Sequence, residues 1–338
     1  MTKEQEKIYN LMQDQESRYI YEQRVEYNQT KDQKYIRNII CMNPECKELF
    51  QKVYDKKDRN LVIFGAGIRG KHCYDIFNDL DFKCYVDNFP KVKKKDNIPV
   101  LTLMECIDKY KKPVFLVCNK DYYQAIILQL LEQGVVQDDI IDFTSLNNEL
   151  LKKQYFDLPV LGGMNIQGAF VDGGCYDGLN AMEYVRKWGK TPVIAWEPNP
   201  DNIKLIENNH AIQDIDFKLI KKAMWNKPEK VCFENCGTDS GINKNGGMWV
   251  EADTCDNVIY EKVAFIKMDL EGAEHNALLG CEKIIKKDYP ILAISIYHKP
   301  EDLVELPELI LQYHNKYRFY LRHYSLCASD TVLYAITD

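Results

Sequence analysis

The chain has 338 residues, 46% of them hydrophobic and 28% charged, and 44 basic against 51 acidic side chains leave a formal net charge of −7. That composition is globular, neither disordered nor collagen-like, and the acidic balance excludes a protein that grips nucleic-acid phosphates through clustered lysine and arginine. No apolar run approaches the roughly 18 residues of a membrane span, and the opening MTKEQEKIYN lacks the apolar core of a secretory leader. A cytoplasmic protein of two domains, without a membrane span or a nucleic-acid partner, is therefore expected. The twelve cysteines are scattered, with no CxxC pair, and are expected to be reduced, buried thiols rather than a zinc site.

Residues 1–58 read as a helical N-terminal segment, because positions 1–50 hold one proline, Pro44, and no glycine. The spacing of Tyr19, Arg24, Tyr27, Tyr35, Ile36, Ile39 and Ile40 predicts an amphipathic pair of helices broken near Asn28-Gln29-Thr30, suited to packing or to homodimer formation. Residues 59–150 read as a small Rossmann-like domain, in which short β-branched runs alternate with helical ones. NLVIFGAG is a strand entering a glycine turn, followed by a helix at Gly70–Leu80, the strand FKCYVDN and a lysine-rich loop at 91–96. IPVLTLMECIDKY, KPVFLVCN, DYYQAIILQLLEQG and IIDF continue the alternation, and the domain boundary falls in the segment 144–168, a helix followed by a link with Pro159, Gly162 and Gly163.

Residues 151–338 form a second α/β domain. Strand 169–173 runs into a glycine loop, followed by helix 178–188, a strand ending at Glu197, helix 200–209 and the strand FKLIKKAMW. Residues 226–257 read as a hairpin insertion, KVCFEN and MWVEAD, whose tip holds Gly237, Asp239, Ser240, Gly241, Gly246 and Gly247 and could close over an acceptor. Strand AFIKMDLEG, helix 273–286, strand PILAISIYH and helix 301–313 follow, and the last two strands, YRFYLRHYS and DTVLYAIT, are too close in sequence for a parallel crossover. A mostly parallel seven-stranded sheet closed by a C-terminal antiparallel hairpin is the arrangement of the methyltransferase fold.

Both domains open on glycines. Gly65-Ala66-Gly67-Ile68-Arg69-Gly70 matches G-x-G-x-x-G, and Asp87, twenty residues after Gly67, ends the next strand where an acid could bond a ribose hydroxyl. The competing reading gives these glycines only a tight turn and close packing. The second loop, Asp172-Gly173-Gly174-Cys175-Tyr176-Asp177-Gly178, presents carboxylates as well as amides and suits the cationic methionine end of a ligand better than a pyrophosphate. Glu197, at 197 − 174 = 23 residues beyond Gly174, can accept hydrogen bonds from both hydroxyls of a ribose.

FVDGGCYDG, VIAWEPNPDNI, KKAMWN, AFIKMDLEGAE with its following LLG, ISIYHKPEDL and LRHYS…TVLYA resemble the FkbM family of S-adenosylmethionine-dependent methyltransferases over about residues 155–338. The resemblance implies a Rossmann-like methyltransferase fold, S-adenosylmethionine as cofactor and methylation of a hydroxyl on a sugar, glycan or related acceptor. Carried over by position, Asp172, Gly173, Gly174, Tyr176, Asp177 and Gly178 surround the methionine portion, Glu197 holds the ribose, and Ala223 and Met224 lie against the adenine. No acid follows the third strand to bond the adenine amino group.

Ligands of open α/β sheets sit outside the carboxyl ends of the strands. Asp269, ending FIKMD, is the first candidate to orient the acceptor hydroxyl or take its proton, and it borders the cofactor as well. Glu271 follows on the turn, and His298, before Pro300, is a candidate general base. Glu274 is equally explained by the helix dipole. His275 beside it is a poor metal partner for Asp269 and Glu271, since adjacent helical positions face apart, and no metal is expected. His323, Tyr324, Trp225 and Trp249 are read as structural or acceptor-contacting. The enzymatic alternative is an NAD(P)-dependent oxidoreductase using the GAGIRG loop, and the non-enzymatic one is a binding module on a methyltransferase fold.

Overall fold

The computed structural model describes residues 1–234, 241–242 and 247–337. The chain forms two compact units, one of Met1–Tyr21, Tyr155–Arg322 and Thr331–Asp338, the other of Glu22–Gln154 and His323–Asp330. The helical segment expected at 1–58 is thus shared between them. It holds four helices, α1 (Lys3–Tyr9), α2 (Gln15–Thr30), α3 (Lys34–Ile40) and α4 (Pro44–Tyr54). The break expected at Asn28-Gln29-Thr30 lies further on, because α2 runs through Thr30 and stops at Lys31, whose φ of 57° is left-handed.

The second unit carries a six-stranded sheet in the order β3-β4-β2-β1-β5-β6, from β1 (Leu61–Phe64), β2 (Phe82–Val86), β3 (Lys94–Lys95), β4 (Ile98–Leu101), β5 (Val114–Val117) and β6 (Ile140–Asp142). Helices α5 (Ile68–Ile76), α6 (Leu103–Lys109), α7 (Tyr123–Glu132) and α8 (Phe143–Leu151) alternate with the strands. Val62, Phe64, Val86, Phe115 and Val117 form its apolar core. The lysine-rich loop expected at 91–96 contributes β3, which pairs antiparallel with β4 through Lys94 and Lys95.

His323 belongs to this unit, and there desolvation, followed by the charge of Arg24, pushes its imidazole down to about 3. An unfolded histidine titrates near pH ~6.5. Above that pH neither state binds the proton, and below it only the unfolded chain does, so stability falls by up to ~1.4 kcal/mol per pH unit between about pH 6.5 and 3. Urea denaturation at pH 7 and pH 5 should show a drop that is smaller by about 2 kcal/mol in His323→Gln; an equal drop in both proteins removes His323 as its source.

The first unit is built on a seven-stranded sheet in the order β16-β17-β15-β14-β7-β8-β9. Its strands are β7 (Ala169–Gly173), β8 (Val193–Trp196), β9 (Phe217–Ile220), β14 (Val263–Met268), β15 (Ile291–Ser295), β16 (Arg318–His323) and β17 (Thr331–Ile336). β7, β8, β9, β14 and β15 pair in parallel, and β17 runs antiparallel to β15. Runs such as VIAW and ILAIS are buried at every position, as central parallel strands require. Phe170 stacks on Tyr184 at 4.3 Å, and Phe156, Trp188 and Phe265 extend the aromatic layer.

The strand expected over FKLIKKAMW is two elements. β9 ends at Ile220, and Ala223–Met224 (β10) joins a separate four-stranded sheet with β11 (Glu229–Glu234), β12 (Gly241–Ile242) and β13 (Met248–Asp253). β11 and β13 are the expected antiparallel hairpin. Of its tip, Gly237, Asp239, Ser240 and Gly246 lie outside the described residues.

Of the helices, α9 (Leu179–Trp188), α10 (Pro200–Glu207), α11 (Cys255–Val258) and α14 (Asp302–Tyr313) accompany the strands. The helix expected at 273–286 is divided into α12 (Glu274–Leu279) and α13 (Glu282–Asp288). Gly280 sits at the break, where a Cβ would stand 2.0 Å from the Trp225 carbonyl oxygen, so this close approach interrupts the helix. No helix among the described residues is long and apolar enough to cross a membrane.

Candidate active site

Strand order reverses between β7 and β14: the chain leaves β7 toward β8 and β9, then returns to β14 and moves the other way. The carboxyl ends of these two neighbours therefore flank the crevice in which such sheets bind ligands. Register places Lys267 beside Asp172 and Met268 beside Gly173, so the glycine loop and Asp269 emerge together.

Asp172 does not line the crevice. It is fully buried and faces Lys267, whose Nζ lies 3.1 Å from its carboxylate and donates to the carbonyl oxygens of Gly173 (3.1 Å) and Gly174 (2.7 Å). Burial raises the Asp172 carboxyl against the pull of Lys267. Burial would lower the lysine, but the charges of Asp172 and Asp269 together hold its ammonium up. Two carboxylates thus share one cation, which ties the start of the loop to β14.

Gly174 has φ 72°, and a Cβ there would stand 2.0 Å from the Asp269 carbonyl oxygen; at Gly178, φ 77°, it would meet Ile212 at 2.4 Å. These positions demand glycine. A Cβ on Gly173 would meet the Met224 sulfur at 2.9 Å, which brings the buried β10 pair, Ala223 and Met224, against the loop. Tyr176 is left-handed at φ 51°, and its N–H donates to Glu197 Oε2 at 3.0 Å. Glu197 Oε1 accepts from Asn199 N–H at 2.9 Å, and burial raises this carboxyl despite both bonds. Asp177 accepts from Leu179 N–H at 3.0 Å, capping the first turn of α9.

Asp269, Glu271 and His298 converge. Asp269 accepts from Tyr155 OH at 2.8 Å and from Tyr297 OH at 3.3 Å. His298 Nε2 lies 3.6 Å from Asp269 Oδ1 and 3.1 Å from Glu271 Oε2, while Nδ1 lies 2.9 Å from Glu274 Oε1. Burial would raise Asp269, but the charges of His298 and Lys267 hold it below the usual carboxylate range. Burial would lower His298, yet Glu274, Glu271 and Asp269 push it up to about 11. Glu271 occupies the left-handed region at φ 51°.

Glu274, read from sequence as equally a helix-dipole residue, is fully buried and accepts from Leu270 N–H at 2.7 Å while facing His298. His275 is not among the converging groups. Sequence reasoning missed Lys267, Tyr155 and Tyr297. Only Lys267 left a signal, as a lone charge inside the otherwise apolar strand VAFIKM.

Packing accounts for two of the three glycines of the GAGIRG loop, while at Gly67 a Cβ would meet nothing within 4 Å. A Cβ on Gly65 would stand 2.6 Å from the Cys118 carbonyl oxygen, and one on Gly70 1.9 Å from that of Gly65. Asp87 accepts from the N–H groups of Ala66 (3.2 Å) and Phe89 (2.9 Å), and Lys95 Nζ donates to the carbonyls of Ala66 and Gly67.

Sheet order, with the parallel strands closed by an antiparallel last strand, is that of the Rossmann-like methyltransferase fold. Residues 172–324 match the family model described as the Methyltransferase FkbM domain. The crystal structure of Methyltransferase FkbM from Methylobacillus flagellatus KT is similar in fold at 19% identity and a TM-score of 0.50, over 82% of this chain and 90% of that one. Precorrin-6y C5,15-methyltransferase from Geobacter metallireducens GS-15 aligns at 12% identity and a TM-score of 0.35, over 61% and 97% of the two chains. Fibrillarin from Aeropyrum pernix, in complex with natively bound S-adenosyl-L-methionine, aligns at 9% identity and 0.33, over 56% and 73%. No curated protein matches the chain.

Proposed function

We propose that the protein uses S-adenosylmethionine to methylate a hydroxyl of a sugar, glycan or glycoconjugate precursor. The observation that carries this reading is Asp269, an acid at the switch-point strand end that is held by two tyrosine hydroxyls and adjoins the loop at 173–178. The donor set fits the cofactor: Glu197 is a buried strand-end carboxylate held by the Tyr176 and Asn199 amides and by the Asn202 side chain, which leaves it an acceptor site for a ribose hydroxyl. When bound, S-adenosylmethionine supplies an electrophilic methyl group on a sulfonium.

Asp269 receives the hydrogen bond of the acceptor hydroxyl and turns its oxygen for in-line attack, the positioning step that dominates such a displacement. Held below the usual carboxylate range, it stays ionised and keeps both oxygens as acceptors. Tyr155 and Tyr297 fix the carboxylate plane, and His298, held by Glu274, sets the position of Glu271 beside it. The acidic rim also favours a cation in the crevice.

Calorimetry on the full chain should show S-adenosylmethionine binding that Glu197→Gln weakens about tenfold, the loss of one good hydrogen bond to a charged group. Unchanged affinity in the variant would remove Glu197 from the ribose, and no binding by the wild type would overturn the reading itself. Methyl transfer from labelled cofactor to carbohydrate acceptors then tests the acceptor class.

A further inference from the structure

Among the described residues, Asp269, Glu271 and His298 are the one group of histidine, cysteine or carboxylate side chains whose ligand atoms all lie within 4.8 Å of one another. The histidine side chain is 9% exposed, and its Nε2 faces both carboxylates, at 3.1 Å from Glu271 and 3.6 Å from Asp269. On its other side Nδ1 stands 2.9 Å from Glu274 Oε1, a fully buried carboxylate fixed by Leu270 N–H. A carboxylate behind Nδ1 is the usual support of a metal-binding histidine, and a cation seated between Asp269 and Glu271 would take the place of the Nε2 proton.

Metal–ligand bonds of about 2.1 Å put neighbouring vertices of an octahedron about 3.0 Å apart, against 3.1 Å from Nε2 to Glu271 and 3.6 Å to Asp269. Charge points the same way. Three carboxylates, Asp269, Glu271 and Glu274, surround one imidazole, so even a protonated ring leaves an excess of negative charge that a divalent ion would reduce. Two carboxylates and one imidazole, without thiolate, select an oxygen-preferring ion that tolerates nitrogen.

We propose that Asp269, Glu271 and His298 bind one divalent cation of the Mg2+/Mn2+ type. Three protein ligands leave the other octahedral positions for water or for oxygens of a bound hydroxyl compound. Binding of the ion stands on the ligands alone; its use in holding the acceptor's hydroxyl rests on the methyl-transfer reading.

The test is Mn2+ titration of the full chain after chelator treatment, followed by calorimetry and by electron paramagnetic resonance, without cofactor. One Mn2+ per chain is expected, with a nitrogen hyperfine coupling from His298, and Glu271→Gln and His298→Gln should each weaken binding at least tenfold. The nitrogen coupling is read on the wild type, so it decides the matter even where a variant fails to fold. No saturable binding up to millimolar Mn2+, or binding without a nitrogen ligand, overturns the proposal. If the chelated protein still binds S-adenosylmethionine and transfers methyl groups at full rate while Mn2+ does not bind, the metal fails and the methyl-transfer reading stands. Saturable, nitrogen-ligated Mn2+ on a protein that binds no S-adenosylmethionine upholds the metal and overturns methyl transfer.

Discussion

Asp269→Asn is expected to reduce methyl transfer at least a hundredfold, mostly in kcat, while affinity for S-adenosylmethionine changes less than threefold. The asparagine carbonyl can still accept from Tyr155 OH, so the strand end keeps its shape. What disappears is the anionic acceptor that faces the hydroxyl proton, and removing a positioned acid–base group typically costs ~10²–10⁴ in rate. Steady-state kinetics with labelled cofactor separates the two constants. A variant with wild-type kcat would remove Asp269 from the chemistry, and one that loses cofactor affinity instead would make it a binding residue.

The second large effect concerns folding. Lys267→Met should destabilise the protein by about 3–5 kcal/mol, because it leaves Asp172 charged and buried without its partner. The loop carbonyls of Gly173 and Gly174 lose a donor in the same change. Adding Asp172→Val should restore most of the loss, since replacing both members of a buried pair by apolar groups is often near neutral. Urea denaturation of both single variants and the double variant measures the coupling. Additive losses would show that the pair does not act as a unit.

The strands were legible because parallel central strands are buried on both faces and show as unbroken apolar runs: VIAW, ILAIS and LVIF could be little else. Carboxylates at strand ends were legible for the same reason, since an acid closing such a run has only the sheet's edge to occupy. Pairings made across long stretches of sequence were not. Glu274 and His298 are separated by a helix pair and a strand, so local periodicity could not show that they touch, and Glu274 was as well explained by the helix dipole. Asp172 reads as ligand-facing in the sequence because its partner lies 95 positions away by number, at Lys267. The break of α12 from α13 depended on the Trp225 carbonyl, which comes from another part of the chain.

The first 21 residues belong with the unit that is otherwise made of residues from 155 onward. Met12 bridges to Phe319, Ser17 Oγ accepts from Leu321 N–H at 2.9 Å, and Asp14 pairs with Arg322 at 2.7 Å. During synthesis these partners emerge some 300 residues after the N-terminal segment, about 15–60 s later at ordinary translation rates. The opening helix must therefore wait on the ribosome, with Ile8 and Met12, both fully buried in the finished protein, still uncovered. Over that interval the nascent chain carries apolar side chains whose cover has not yet been made, and a piece cut to begin at residue 151 would lack the segment that pairs with β16 at the end of its own sheet.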